Sequence, residues 1–127
     1  MIKVLIVDDN QSITDFVKMS LEELGQYQVM TAPTGNEGVS KVSYFDPDII
    51  FLDVMLPDMD GPEAATLIRK LPGYLRVPII FLTGIITPSE VEQTQGVIRG
   101  ETYLAKPVSR PQLVECINQT LGQKPSQ

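Results

Sequence analysis

The sequence predicts an α/β domain: a five-stranded parallel sheet, doubly wound in the strand order 2-1-3-4-5, with helices on both faces. Two observations lead there. Val4-Leu5-Ile6-Val7, Ile49-Ile50-Phe51-Leu52 and Ile79-Ile80-Phe81-Leu82 are short apolar runs rich in β-branched residues, the pattern of parallel strands buried on both faces. Segments of helical periodicity separate them, and strands that alternate with helices join in parallel through crossovers. Five strands with five helices suit the five-stranded member of the two common doubly wound orders. The length, 127 residues with 43% hydrophobic and 20% charged side chains, is that of one domain with a proper core.

Each element has its own signal. After Val4–Val7, the residues Ile13, Phe16, Val17, Leu21 and Leu24 recur at helical spacing, with Asn10 or Ser12 as cap and Gly25 past the end. Residues 28–32 read as the second strand. Thr34-Gly35-Asn36-Glu37 has capping-box form and opens a short helix that cannot run through Pro47. After the third strand, Gly61-Pro62-Glu63 starts a helix buried through Ala64, Leu67, Ile68 and Leu71, and Pro72 stops it. The fourth strand leads to Thr87-Pro88-Ser89-Glu90, a second capping box. The helix it opens has a thin stripe (Val91, Val97, Ile98) and an internal Gly96, the weakest packing of the set. Tyr103-Leu104-Ala105 is the fifth strand. Ser109-Arg110-Pro111-Gln112 caps a last helix buried through Leu113, Cys116, Ile117 and Leu121. The folded domain is expected over 1–121, with 122–127 a polar, frayed tail.

Charge narrows the function classes. The net charge is −6, and the ten Lys and Arg are spread from Lys3 to Lys124 without a cluster. That argues against nucleic acid or an anionic membrane as direct partner. Cys116 is alone in an apolar stripe, an inert core thiol. The N-terminal apolar stretch is too short for a signal peptide and no run approaches a membrane span. A reducing, cytoplasmic setting is expected.

Chemistry gathers at the strand ends. The first strand runs into Asp8 and Asp9, the third into Asp53, the fourth into Thr83 and the fifth into Lys106-Pro107. Parallel strands bring their C-terminal ends to one edge, where open α/β sheets bind ligands. With strands about 4.8 Å apart, the Asp8-Asp9 pair falls beside Asp53, and Thr83 and Lys106 follow on successive strands. Two carboxylates about 4 Å apart repel by roughly 4 kcal/mol at an effective dielectric of 20. A hard divalent cation such as Mg²⁺ removes that conflict and can also engage a phosphoryl group. Turn chemistry alone would account for Asp8-Asp9, but it gives no reason for Thr83 and Lys-Pro at the neighbouring strand ends.

These residues match a family. Val7-Asp8-Asp9-Asn10, Asp53-Val54-Met55-Leu56-Pro57-Asp58-Met59-Asp60-Gly61, Thr83 and Tyr103-Leu104-Ala105-Lys106-Pro107 occur in an order and spacing that is specific as a set. The chain resembles the receiver domain of two-component response regulators, chemotaxis-type single-domain receivers among them, over almost its whole length. The resemblance implies a flavodoxin-like fold and a phosphorylatable signalling domain, not an enzyme beyond its own self-phosphorylation and self-dephosphorylation. Asp53 matches the phosphoacceptor. Asp9 matches the direct Mg²⁺ ligand, Asp8 the acid acting on the metal largely through water, and the Met55 carbonyl the remaining protein ligand. Lys106 and Thr83 match the groups that bind phosphoryl oxygens. Tyr103 matches the aromatic switch that follows the threonine and changes the face of the fourth helix, fifth strand and last helix. Pro57, Gly61 and Pro107 shape the backbone, and the Lys106–Pro107 bond is a candidate for the cis form.

The implied partners are a sensor histidine kinase or histidine phosphotransfer protein as donor, and a downstream effector or output domain as reader. The chain contains no histidine, so it is not its own phosphohistidine donor. It reads as a stand-alone receiver or as one piece of a larger regulator. Two departures from the family pattern stand out. Gly84 follows Thr83 where a small residue with a Cβ is expected, and Met55 and Ile85 are both apolar, which suggests slow self-dephosphorylation. Two alternatives are a degenerate receiver acting as a docking module and a Mg²⁺-dependent phosphohydrolase working through an aspartyl phosphate. The latter commonly carries a second acid two residues after the nucleophile, where this chain has Met55.

Overall fold

The computed structural model describes residues 1–84, 97–98 and 101–122. Their elements, in chain order, are β1 (Ile2–Val7), α1 (Gln11–Glu22), β2 (Tyr27–Ala32), α2 (Gly35–Phe45), β3 (Ile49–Asp53), α3 (Gly61–Arg69), β4 (Ile79–Thr83), β5 (Val97–Ile98), β6 (Glu101–Ala105) and α4 (Arg110–Leu121). The sheet order is β2-β1-β3-β4-β6-β5. Its first five members pair in parallel, the expected 2-1-3-4-5 arrangement with β6 as the fifth parallel strand. The expected helix from Thr87 lies outside the described residues, as do Ile85 and residues 123–127.

One expectation fails at the far edge. Val97 and Ile98, assigned from sequence to the stripe of that helix, instead form β5, antiparallel to β6 with Val97 opposite Thr102 and Ile98 opposite Glu101. Two adjacent β-branched residues suit a pleated edge at least as well as a helix. Two residues are too few for periodicity to distinguish them.

Strand alternation divides the core into two layers. Val4, Ile6, Ile49, Phe51, Ile80 and Leu82 face α1 and α4, packing on Val17, Leu21, Leu113, Cys116 and Ile117. Leu5, Val7, Ile50, Leu52, Ile79 and Phe81 face α2 and α3, packing on Val42, Phe45, Ala64, Ala65 and Ile68. Every residue of β3 and β4 is buried, as a doubly covered sheet requires. The helical stripes are narrower than the sequence suggested. Phe16, Leu24 and Leu67 are exposed, while the small Thr14 and Ser20 lie under α1. A helix pressed close to the sheet favours small residues on the contact line and turns bulky flanking ones outward.

The caps follow local chemistry. Asn10, not Ser12, caps α1 by accepting from the Ile13 N–H. Thr34 accepts from the Glu37 N–H to open α2, and Asp46 ends it in the left-handed region at φ 55°, one residue before Pro47. Ser109 and Gln112 form a reciprocal capping box on α4.

The β2 edge is closed by side chains. The Gln26 and Ala32 carbonyls accept from β1 and the residue after it, so the alternate residues Tyr27, Val29 and Thr31 turn their backbone groups to the open side. Glu22 accepts from the Val29 N–H at 3.0 Å. Lys18 donates to the Val29 carbonyl at 3.0 Å and to Glu22 at 3.0 Å. From the opposite face, Lys41 donates to the Thr31 carbonyl at 2.7 Å. Long charged side chains from α1 and α2 thus occupy bonds that a foreign strand would need.

Glu22 makes this closure pH-dependent. The Val29 amide, then Lys18, hold its carboxyl below the ordinary value of 4.5. A depressed folded-state value contributes stability above the unfolded value and loses it as pH falls through the folded one. Glu22→Gln is expected to cost on the order of 0.5 kcal/mol at pH 7, kept small by the pair's exposure. Urea melts should show that gap narrowing as pH falls below 4.5; a gap unchanged at low pH contradicts this account.

Candidate functional site

Strand register builds the site at the C-terminal edge of the sheet. Val7 pairs with Leu52, so Asp8 and Asp53, each the next residue, end side by side. Asp53 pairs with Leu82 and Thr83 with Ala105, which sets Thr83 and then Lys106 on successive steps. A hydrogen bond of 2.9 Å from the Lys106 N–H to the Thr83 carbonyl extends that ladder. The Lys106–Pro107 bond is cis, as the sequence suggested.

Burial and charge are in tension here. Asp8, Asp53 and Thr83 are only 1%, 7% and 2% exposed, whereas Asp9 faces solvent. The Asn10 N–H donates to Asp8 Oδ1 at 2.9 Å. Lys106 Nζ stands 2.9 Å from Asp8 Oδ2 and 3.2 Å from Asp53 Oδ1, one ammonium bridging two carboxylates. Lys106 faces the buried Asp8 Oδ2, which takes no further hydrogen bond among the described residues. Burial pushes the Asp53 carboxyl above its usual range and the neighbouring Asp8 charge pushes it further; Lys106 offsets only part of this. For Lys106, burial works against the charge, but Asp8 and then Asp53 outweigh it and raise the ammonium's value.

The donor set suits a hard cation. Carboxylate oxygens of Asp8, Asp9 and Asp53 lie within 4.8 Å of one another, and Asp8 Oδ2 is an oxygen with bonding capacity unspent. All three donors are oxygen, the kind preferred by Mg²⁺, Ca²⁺ and Mn²⁺ over softer ions.

The loop after Asp53 is tightly folded. Gly61 N–H donates to the Val54 carbonyl and Leu56 N–H to the Met59 carbonyl, pairing Met55 with Asp60 as an antiparallel bridge. Neither bond uses the Met55 carbonyl. A Cβ at Gly61 would lie 2.5 Å from the Asp53 carbonyl oxygen and 2.9 Å from Val54 Cα, so only glycine lets α3 start this close behind Asp53. Gly84 is different: among the described residues a Cβ there meets nothing within 4 Å.

A family model for the response regulator receiver domain matches residues 4–118. The chain belongs to the response regulator receiver family. It is 38% identical over 114 residues to the transcriptional regulatory protein TrcR of Mycobacterium tuberculosis, covering 89% of this chain and 42% of that protein. The chain therefore spans less than half the length of this relative. Chemotaxis protein CheY4 of Vibrio cholerae superposes with a TM-score of 0.79 at 31% identity, over 94% of this chain and 98% of that one. The receiver domain of sensor histidine kinase PA1611 from Pseudomonas aeruginosa, solved with a magnesium ion coordinated in its active-site cleft, gives 0.78 at 31% identity, over 95% and 98%.

In this receiver the sequence-selected groups Asp8, Asp9, Asp53, Thr83 and Lys106 converge at one sheet edge. Tyr103 sits one layer back, half-buried, its ring 5.3 Å from that of Phe81. Met55 points its side chain to solvent at 67% exposure. Two neighbouring residues carry more than the sequence reading assigned. Asp60 caps α3 by accepting from the Glu63 N–H at 2.8 Å, and Asp60-Gly61-Pro62-Glu63 has the capping signature that could have revealed it. Asp58 binds two amides 22 and 23 positions earlier in the chain, for which no local signal exists.

The charge imbalance gives a stability prediction. Replacing Asp53 by Asn removes a buried charge that Lys106 only partly offsets, and leaves Lys106 its Asp8 partner. In metal-free buffer at pH 7, Asp53→Asn is expected to melt about 2–4 °C higher than the unaltered chain. A lower melting temperature would mean that the Lys106 pair outweighs burial and repulsion.

Proposed function

We propose that this receiver accepts a phosphoryl group on Asp53 from the phosphohistidine of a sensor histidine kinase or histidine phosphotransfer protein, and passes the change to an effector protein or output domain. The observation that carries the reading is the buried Asp53 carboxylate at a strand end, flanked by two further carboxylates and held 3.2 Å from Lys106. Asp8, Asp9, Asp53 and the Met55 carbonyl are the proposed Mg²⁺ ligands. Mg²⁺ bound there would neutralise the crowded carboxylates and the charge of the transferring phosphoryl group. The magnesium-bearing cleft of the 31% identical P. aeruginosa receiver supports that choice of ion.

The chain's own groups then have definite tasks. An Asp53 oxygen forms the new P–O bond as the donor's P–N bond breaks, and the departing imidazole takes up a proton. Lys106, which bridges Asp8 and Asp53 in the unmodified chain, transfers part of its bonding to phosphoryl oxygens. The buried Thr83 hydroxyl donates to another phosphoryl oxygen. Both stabilise charge as it develops. Tyr103, on the strand that pairs with β4 at Phe81, relays the Thr83 movement to the outer face of β6. Its packing against Phe81 supports a mechanical link between the two strands. The apolar Met55 near Asp53 offers no group to orient water, which supports slow self-dephosphorylation. The receiver unit is proposed to end with α4 at residue 121, acting in the cytoplasm either alone or joined to an output domain. Among the described residues no helix is long and apolar enough to cross a membrane.

Incubation with acetyl phosphate and Mg²⁺ tests the nucleophile. One phosphoryl mass, labile to base, is expected on the unaltered chain and none on Asp53→Asn, whose amide is not a competent nucleophile. Label on Ser, Thr or Tyr would overturn the assignment.

A separate measurement tests the relay. Beryllofluoride with Mg²⁺ should shift amide signals across residues 101–106 in the unaltered chain. Thr83→Ala should still bind the mimic, with shifts at 101–104 reduced to less than about half, because a ligand moves an equilibrium only through contacts that differ between states. Equal shifts in both chains would remove Thr83 from the switch.

A further inference from the structure

Asp58 lies outside the carboxylate cluster and takes no part in the chemistry proposed above, yet it makes an unusually complete contact. Its Oδ1 accepts from the Gly35 N–H at 2.9 Å and its Oδ2 from the Asn36 N–H at 2.8 Å. These are the first two amides of α2, and Thr34 takes the third, that of Glu37. The three amides are therefore shared between a local cap and a residue from a distant loop. A carboxylate at a helix N-terminus is favoured by both the unpaired N–H groups and the helix dipole. The Asn36 amide, then that of Gly35, hold the Asp58 carboxyl below the usual range.

The same loop is pinned a second time beside this contact. Met59 packs so closely over Gly35 that a Cβ there would lie 2.6 Å from its Cγ. Asp60 caps α3. Between Asp53 and α3, the chain is thus fastened to α2 by Asp58 and Met59 and to α3 by Asp60. This turn meets the carboxylate cluster through its backbone at Met55, whose N–H donates to Asp53 Oδ1 at 3.4 Å and whose carbonyl neither cross-turn bond engages.

We infer that Asp58 is a positioning residue for the cation site, anchoring the Asp53–Gly61 turn to the N-terminus of α2 so that the Met55 carbonyl is held at the carboxylate cluster. This rests on the reading of the cluster as a Mg²⁺ site. Both oxygens of Asp58 are used, so the side chain sets the turn's orientation as well as its distance from α2. An asparagine keeps one acceptor and turns an NH₂ group toward the second amide, so it retains only part of the anchor. Because the anchor is an α2 cap, cation binding and the order of the Gly35 and Asn36 amides are linked in both directions.

The test is a Mg²⁺ titration of the full chain followed by amide shifts at residues 8–10 and 53–57, with hydrogen exchange at Gly35 and Asn36 as a second readout. Asp58→Ala is expected to weaken Mg²⁺ by about tenfold, the lower end of what supporting residues around metals contribute, and Asp58→Asn by less. Mg²⁺ should slow exchange at Gly35 and Asn36 in the unaltered chain and leave it unchanged in Asp58→Ala. Thr34→Ala is the control, since it removes a cap from the same helix end without touching the turn, and its Mg²⁺ affinity should stay within about twofold. Equal affinity in Asp58→Ala and the unaltered chain, or an equal loss in Thr34→Ala, overturns the anchor. An unaltered chain that takes up no Mg²⁺ overturns the reading of the cluster itself, a result distinguishable from the other two.

Discussion

One ammonium set among three carboxylates is the constraint around which this receiver is arranged. Lys106 reaches both Asp8 and Asp53, but a single positive charge cannot balance two buried carboxylates with the exposed Asp9 beside them. The deficit appears as a raised Asp53 carboxyl and a buried Asp8 oxygen that takes no hydrogen bond beyond Lys106 among the described residues. A protein built for stability alone would have no reason to keep this arrangement, since two buried carboxylates sharing one ammonium leave charge only partly offset, at a cost larger than a surface pair returns. The unspent bonding capacity is what a cation and a phosphoryl group can use.

The surrounding fold holds that tension in place. The two strands that supply Asp8 and Asp53 are central and covered on both faces, so neither carboxylate can relax toward water without disturbing the core. Gly61 lets α3 begin directly behind Asp53, which leaves the Asp53 backbone no room to retreat. Asp58 and Met59 join the same loop to α2. Fixed dipoles and charges around a reacting group cost no reorganisation when charge develops, and these contacts are what make them fixed.

The two sheet edges are treated differently. At β2, Lys18, Glu22 and Lys41 occupy outward backbone groups from both faces, a closed edge. At the other side the sheet extends past β6 into the short antiparallel β5. The edge near Lys106 and Tyr103 is thus the one whose backbone continues into further pairing. This asymmetry places any change relayed through β6 on the side of the sheet where the strand pattern is least regular.

What the sequence determined by itself was the layout whose causes are local. Continuous β-branched runs marked the central strands, proline and capping residues marked where α2, α3 and α4 begin or stop, and register carried Asp8, Asp9, Asp53, Thr83 and Lys106 to one edge, because in a parallel sheet the ends of neighbouring strands must coincide. Tertiary structure decided what depends on distance in space. Phe16, Leu24 and Leu67 matched the helical period yet lie exposed, since how closely a helix approaches the sheet is set by the small residues between them. Val97 and Ile98 joined a strand because two residues carry no period, and a partner strand settled the matter. Asp58 stood in the sequence only as one member of the Asp53–Gly61 motif, and only folding brought the Gly35 and Asn36 amides to it, because a hydrogen bond between segments 22 or 23 residues apart leaves no trace in the spacing of either.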